Sequence, residues 1–296
     1  MSVHRSRKVR VSVLKKSTKD KIVTVIYHIF VMGIGISMVY PLIWMVFSSF
    51  KPTNSIFATA TQLFPDQFTL DNYINGWKGI GRTPFSQFFA NTFFVCIIAT
   101  LGTVASCAMV AYSFARLRYR LRGPLFALVL LTMMLPGEIL MIPQYLWYNK
   151  LSWVNTYLPL TVPLFFATSG FFIYQMKNFI DGIPEALDES ARIDGCSFYG
   201  IFFRIIIPLI KPSLATVTIF SFLNNWNNYM GALLYLRRTE KYTISLALKL
   251  FCDPTSQSYY GAMYAIARRA LMPIVIIFAT MQRYLTQGIA TSGLKG

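Results

Sequence analysis

Hydrophobic positions in this chain do not mark out faces; they run on. Six stretches, roughly 22–48, 89–115, 124–146, 157–178, 210–235 and 265–287, are almost continuously apolar. An α-helix needs about 20 such residues to cross about 30 Å of hydrocarbon. In lipid a segment must satisfy its own backbone N–H and C=O groups, so runs of this length predict helices. The pattern predicts an all-α membrane protein with six transmembrane helices and, because six is even, with both termini on one side.

Charge assigns the sides. The segment "HRSRKVRVSVLKKSTKDK" carries eight basic residues and one acid, and Arg116, Arg118, Arg120 and Arg122 sit between the second and third runs. By the positive-inside rule both places are cytoplasmic. This topology puts 18 Lys and Arg inside and 10 outside. The expected organisation is a basic cytosolic tail over 1–21, a membrane domain over 22–287 and a C-terminal cytosolic tail over 288–296, in a plasma-membrane protein surrounded by lipid.

Composition agrees: the chain is 55% hydrophobic and 13% charged, with a mean hydropathy of +0.49, too apolar for polar groups to cover a soluble surface. The net charge of +17 does not point to nucleic acid, because the cations flank apolar runs and form no basic domain. The N-terminus has the basic start of a signal peptide, but its apolar run is too long and no small-residue cleavage site follows. Cys96, Cys107, Cys196 and Cys252 show no CxxC spacing, and only His4 and His28 supply imidazoles. Neither a metal site nor a histidine-based catalytic centre is expected.

One polar stretch stands out. "DGIPEALDESARIDG", 181–195, holds five of the chain's eleven acids and falls in the cytosol, where its carboxylates are expected to be solvated. Pro184 suits a first helical turn, Glu185 meets the positive end of the macrodipole, and Asp188 with Arg192 makes an i,i+4 pair. Gly195 suits a left-handed stop and Ser197 an N-cap for a second helix, which Pro208 is expected to end. There Phe198 and Phe202, or Tyr199 and Phe203, lie four apart. Aromatics and carboxylates shown together to the cytosol call for a covering protein. An amphipathic pair lying on lipid is the alternative, but its acids would be repelled by an anionic leaflet.

These residues resemble the EAA loop of ABC importer permeases: Glu, small, Ala, three residues, Gly, nine residues, Ile, any residue, Leu, Pro. Here the positions are Glu189, Ser190, Ala191, Gly195, Ile205, Ile207 and Pro208, with Ser190 and Ile207 departing from the usual Ala and Leu. "YPLIWMVFSSFKP", "AYSFARLRYRLRG", "MLPGEILMIPQY" and "MQRYLTQGIATSGLKG" are similar to the carbohydrate-importer branch, of the maltose-permease second-subunit type. The resemblance implies a type I ABC importer permease fold and import of a sugar. It implies a second permease subunit, an ATPase dimer and an extracellular solute-binding protein as partners. It places ATPase coupling on Glu189, Ser190, Ala191, Asp194, Gly195, Phe198, Phe202 and Pro208, with Gly293, Lys295 and Gly296 of the tail reaching the ATPase. ATP and Mg belong to that partner; this chain has no GxxxxGK[ST] phosphate loop and is expected to be neither an enzyme nor a cofactor binder.

Polar groups within the apolar runs are candidates for a translocation pathway. Asn224 to Asn228 place four amides around Trp226. Such amides either bridge helices or face a wet cavity, and Asn224, Trp226 and Asn228 are the pathway candidates. Glu138 is the one acid inside an apolar run, a functional candidate by position, although Pro136 and Gly137 predict a helix break where it would cap a second half-helix. Arg268 and Arg269 are expected to snorkel to the interface. A secondary carrier driven by protons or ions is the competing reading, but it calls for inverted repeats and buried titratable groups. A channel filter or a paired-carboxylate enzyme centre has no residues to build it.

Overall fold

The computed structural model describes residues 18–251 and 259–293, with the backbone alone at 18–21 and 283–293. Helix α1 (Thr18–Ser48) is followed by the short α2 (Asp71–Lys78) and by α3 (Phe85–Arg116), the second of the predicted spans. Next come α4 (Arg122–Met134), α5 (Gly137–Lys150), α6 (Leu158–Thr161) and α7 (Gly170–Asp181). Three short helices follow: α8 (Ala186–Ile193), α9 (Phe198–Ile201) and α10 (Ile207–Leu209). The chain closes with α11 (Lys211–Trp226), α12 (Tyr229–Tyr235), α13 (Ile244–Leu250) and α14 (Tyr260–Gly293).

Among the described residues, 22–48, 85–116, 158–181 and 260–282 are each long and apolar enough to cross a membrane, and two bent pairs bring the number to six if each is one span. The third predicted run is the first such pair: α4 and α5 meet at 102°. The cause is the expected one. Pro136 has no N–H and forces Leu135 out of helical geometry, to ψ 122°, so the backbone turns.

The fifth run is not one helix. It breaks at Asn227 and Asn228, and a second bend of 78° separates 198–209 from α11. At the C-terminus α14 runs to Gly293. Lys295, Gly296 and residues 1–17 of the basic tail lie outside the described residues.

Helix α3 is the centre of the bundle and packs against both α7 and α11. Its buried face carries small residues, among them Ala99, Gly102, Thr103, Ser106, Cys107 and Ala111, which let neighbouring helices come close. One core joins the Arg116 end of α3 to α7, α8 and the 201–217 segment. A second core gathers Phe85, Phe88, Phe222, Trp226 and Phe251. By contrast α4 and α5 bury no residue, and most of α1 is exposed apolar surface, the composition of a face that meets lipid or another membrane chain.

Candidate functional site

The acidic stretch folds as two short helices joined by one turn. Helix α8 ends in paired reverse bonds: Cys196 N–H donates to Ala191 O (2.9 Å) and Gly195 N–H to Arg192 O (3.0 Å). This is a Schellman stop, and it requires the left-handed residue after the cap; Gly195 supplies it at φ +82°. Ser197 then caps α9, its Oγ accepting from Gly200 N–H at 3.2 Å.

Pro208 does not end the second helix. The turns over Phe202–Ile206 are of the wide π type, with Ile207 N–H donating to Phe202 O. Widening the turn takes up the clash of the proline ring with the carbonyl four residues back. The helix passes through Pro208 to Leu209, and the chain bends at Ile210 instead.

One face of the pair is open and mixed. Glu185, Glu189, Ser190, Asp194, Phe198, Tyr199 and Phe203 are exposed, as is Gly195. Ile193 is 86% exposed and Tyr199 79%. Ala191 and Phe202 point the other way and are buried; the Phe202 ring packs on Tyr112 of α3 at 5.1 Å. Of the aromatic pairs, only Tyr199 with Phe203 is exposed throughout.

Asp188 overturns two expectations. It is not solvated but 3% exposed, and its partner is not Arg192. Its Oδ2 lies 2.7 Å from Arg116 Nε, at the end of α3. Arg192 instead stands over the Phe198 ring, 5.3 Å from its centroid. In sequence Arg116 is one of four arginines between the second and third runs. The retrievable sign was spacing: Asp188 and Ala191, three apart, share a face, and a small residue beside an acid marks the side pressed against a neighbour. Between α3 and this loop lies a cavity of about 930 Å³, lined among others by Tyr112, Arg118, Arg122, Glu189 and Tyr199.

Three of the four amides of the fifth run make hydrogen bonds to backbone close by in sequence. Asn225 Nδ2 donates to Ser221 O (2.7 Å) and Asn227 Nδ2 to Leu223 O (3.0 Å), each four residues back on its own helix. Asn228 Oδ1 accepts from Gly231 N–H at 2.9 Å and caps α12. Asn224 is exposed. Trp226 is 3% exposed and sits among Phe89, Phe93 and Phe222, so it faces no open surface of this chain.

Glu138 is exposed in the first turn of α5, beside the 102° bend. The side chains of Arg268 and Arg269 turn onto neighbouring rings: Arg268 donates to Tyr73 OH at 2.7 Å and lies over Phe50, while Arg269 lies over Trp77 at 4.7 Å. Half-buried cation–π contacts of this kind tie α14 to α2. Among the described residues no three His, Cys, Asp or Glu side chains gather as metal ligands.

Residues 102–291 match the family described as "Binding-protein-dependent transport system inner membrane component". The chain is 34% identical over 260 residues to the arabinooligosaccharides transport system permease protein AraQ of Halalkalibacterium halodurans, covering 87% of this chain and 91% of that one. Its fold is similar to a chain of a bacterial ABC transporter involved in the import of the acidic polysaccharide alginate, with a TM-score of 0.79 at 24% identity over 91% of this chain and 98% of the other. A second chain, from a bacterial alginate ABC transporter in complex with an alginate pentasaccharide-bound periplasmic protein, aligns with a TM-score of 0.61 at 15% identity, covering 90% and 95%.

Proposed function

The chain belongs to the family of binding-protein-dependent transport system inner membrane components, and from that premise we propose that it is one of two permease subunits in an ATP-driven importer of a sugar or oligosaccharide. It is a multi-pass membrane protein and a transport component, not an enzyme. The proposed partners are a second permease, an ATPase dimer that holds ATP and Mg, and an extracellular solute-binding protein.

The observation that carries the coupling is the open face of α8 and α9. It lies at the Arg116 end of α3, among the loop arginines that the positive-inside rule puts in the cytosol. There Glu189, Phe198, Tyr199 and Phe203 are exposed together on a turn shaped by Gly195. Aromatic anchors around a carboxylate suit a protein socket better than water or lipid. The sugar class rests on the arabinooligosaccharide relative. For the pathway we keep Asn224 and Glu138 as exposed polar groups, and Asn228 for the helix break that it caps; Trp226 packs among Phe89, Phe93 and Phe222.

The test is reconstitution in proteoliposomes with the ATPase, the second permease and the binding protein. Uptake of an arabino-oligosaccharide that requires internal ATP supports the reading. Uptake driven by a proton or sodium gradient with no ATPase present would assign a secondary carrier instead.

A further inference from the structure

Arg116 closes the last turn of α3 and holds two other elements. Its Nη2 donates to the carbonyls of Ile180 (2.9 Å) and Ile183 (2.6 Å), where α7 gives way to the acidic loop. Its Nε faces Asp188 Oδ2 at 2.7 Å, with both side chains 4% exposed. Among the described residues Arg116 is the only cation within ion-pair distance of Asp188. Charge holds Asp188 in place.

Burying two charges costs about as much as their attraction returns, so such a pair adds little net stability. Separating it is another matter, because each partner is then a lone charge in an apolar core. The pair therefore resists relative motion of α3 and α8 more than it stabilises either. One turn back along α3, Tyr112 OH donates to Phe198 O at 3.4 Å, so the same helix face also holds α9.

The opposite end of α3 is fastened as well. Asn91 Nδ2 donates to Glu240 O (2.8 Å) and Tyr242 O (3.1 Å), and Gln87 Nε2 to Glu240 O (2.9 Å). Thr92 Oγ1 accepts from Ile244 N–H at 2.8 Å. Between these ends α3 is one unbroken, proline-free helix of 32 residues, about 48 Å long at 1.5 Å per residue.

We propose that Arg116 and Asp188 are positioning residues that clamp the coupling helix α8 to α3, so that displacement of α8 by the ATPase moves α3 and, with it, the outer segment 240–244. The inference deepens the importer reading and rests on it.

The test uses the full reconstituted complex. Asp188→Asn keeps the shape and the two carbonyl bonds of Arg116 but removes the charge. The ATPase should still co-purify and hydrolyse ATP at its basal rate, while stimulation by solute-loaded binding protein and uptake per ATP fall at least about tenfold. A role in folding alone predicts that yield, thermal stability and basal hydrolysis drop in step while uptake per ATP is unchanged, and that result overturns the proposal.

Where Asp188→Asn fails to assemble, Asp188→Glu decides, since it keeps the charge but moves it by one methylene. Normal yield with lowered uptake per ATP supports the clamp. A wild-type ratio, or loss of assembly in both variants, overturns it. Absence of ATP-dependent uptake by the wild-type complex would remove the importer reading itself, an outcome seen without any variant.

Discussion

Asn72 of α2 and Gly261 of α14 are in backbone-to-side-chain contact so close that a Cβ on Gly261 would stand 2.5 Å from Asn72 Cγ and 2.6 Å from Nδ2. Asn72 has no room to withdraw. Its Nδ2 donates to Ser49 O (3.0 Å) and Lys51 O (2.7 Å), and its Oδ1 accepts from Thr53 Oγ1 (3.1 Å). The fully buried Lys51 completes the turn by donating to Thr59 O and Gln62 O. Gly261→Ala should therefore break buried hydrogen bonds and cost about 2 kcal/mol or more. Thermal unfolding of the purified complex measures it, with Gly123→Ala as the control, since a Cβ at Gly123 meets open space. Equal midpoints for the two variants would show that α2 and α14 separate freely.

Asn228 acts on the backbone first. Losing a capping side chain costs about 1 kcal/mol, so Asn228→Ala should lower the unfolding midpoint by a few degrees, while Asn228→Asp, which keeps the acceptor, should not. The apparent KM for solute is expected to stay unchanged in both. A raised KM at normal stability would put the amide in contact with solute.

What could be read from sequence depended on how local the cause was. The break at Pro136, the left-handed Gly195 and the Ser197 cap each follow from residues next to the feature, and all three stand in the structure. The break after Trp226 did not show, because apolar residues resume at Tyr229 and carry the run on to Leu236; the cause is asparagine side chains bonding their own backbone in competition with the helix. Long-range pairing was beyond reach. Asp188 looks like the four other acids around it until α3 arrives with Arg116, and Arg268 looks like an anchor until the rings of Phe50 and Tyr73 come up beside it. For the same reason the sequence groups Phe202 with the exposed aromatics, and only its packing on Tyr112 shows that position turned inward.

At Gly195 the neighbourhood is empty, with no atom within 4 Å of a built Cβ, so only the φ of +82° resists substitution. Gly195→Val should cost about 1 to 2 kcal/mol through the left-handed backbone, and Gly195→Asn, which tolerates that region, should cost less. The difference should appear as weaker ATPase co-purification with Val than with Asn. Identical recovery of both would mean that the aim of α9 does not depend on this turn.

Glu189 provides the sharpest test of the coupling surface, because its neighbour in sequence does something else. Asp188 is turned inward to Arg116, while Glu189 is exposed on the cavity rim beside Phe198 and Tyr199. If a basic group of the ATPase meets it there, Glu189→Lys sets like charges together in a desolvated contact. Breaking such an interfacial pair costs about 2 to 5 kcal/mol, more than tenfold in affinity or coupling. Glu185→Lys is the comparison. Glu185 lies one turn earlier, at the exposed N-cap of α8, where reversing its charge opposes the macrodipole by only about 0.3 to 1 kcal/mol. Binding-protein-stimulated ATP hydrolysis and solute uptake, measured side by side on each reconstituted variant, should therefore fall steeply for Glu189→Lys and little for Glu185→Lys. Wild-type values for Glu189→Lys in both assays would make this carboxylate a solvated surface charge and move the docking contact to the aromatic residues Phe198, Tyr199 and Phe203.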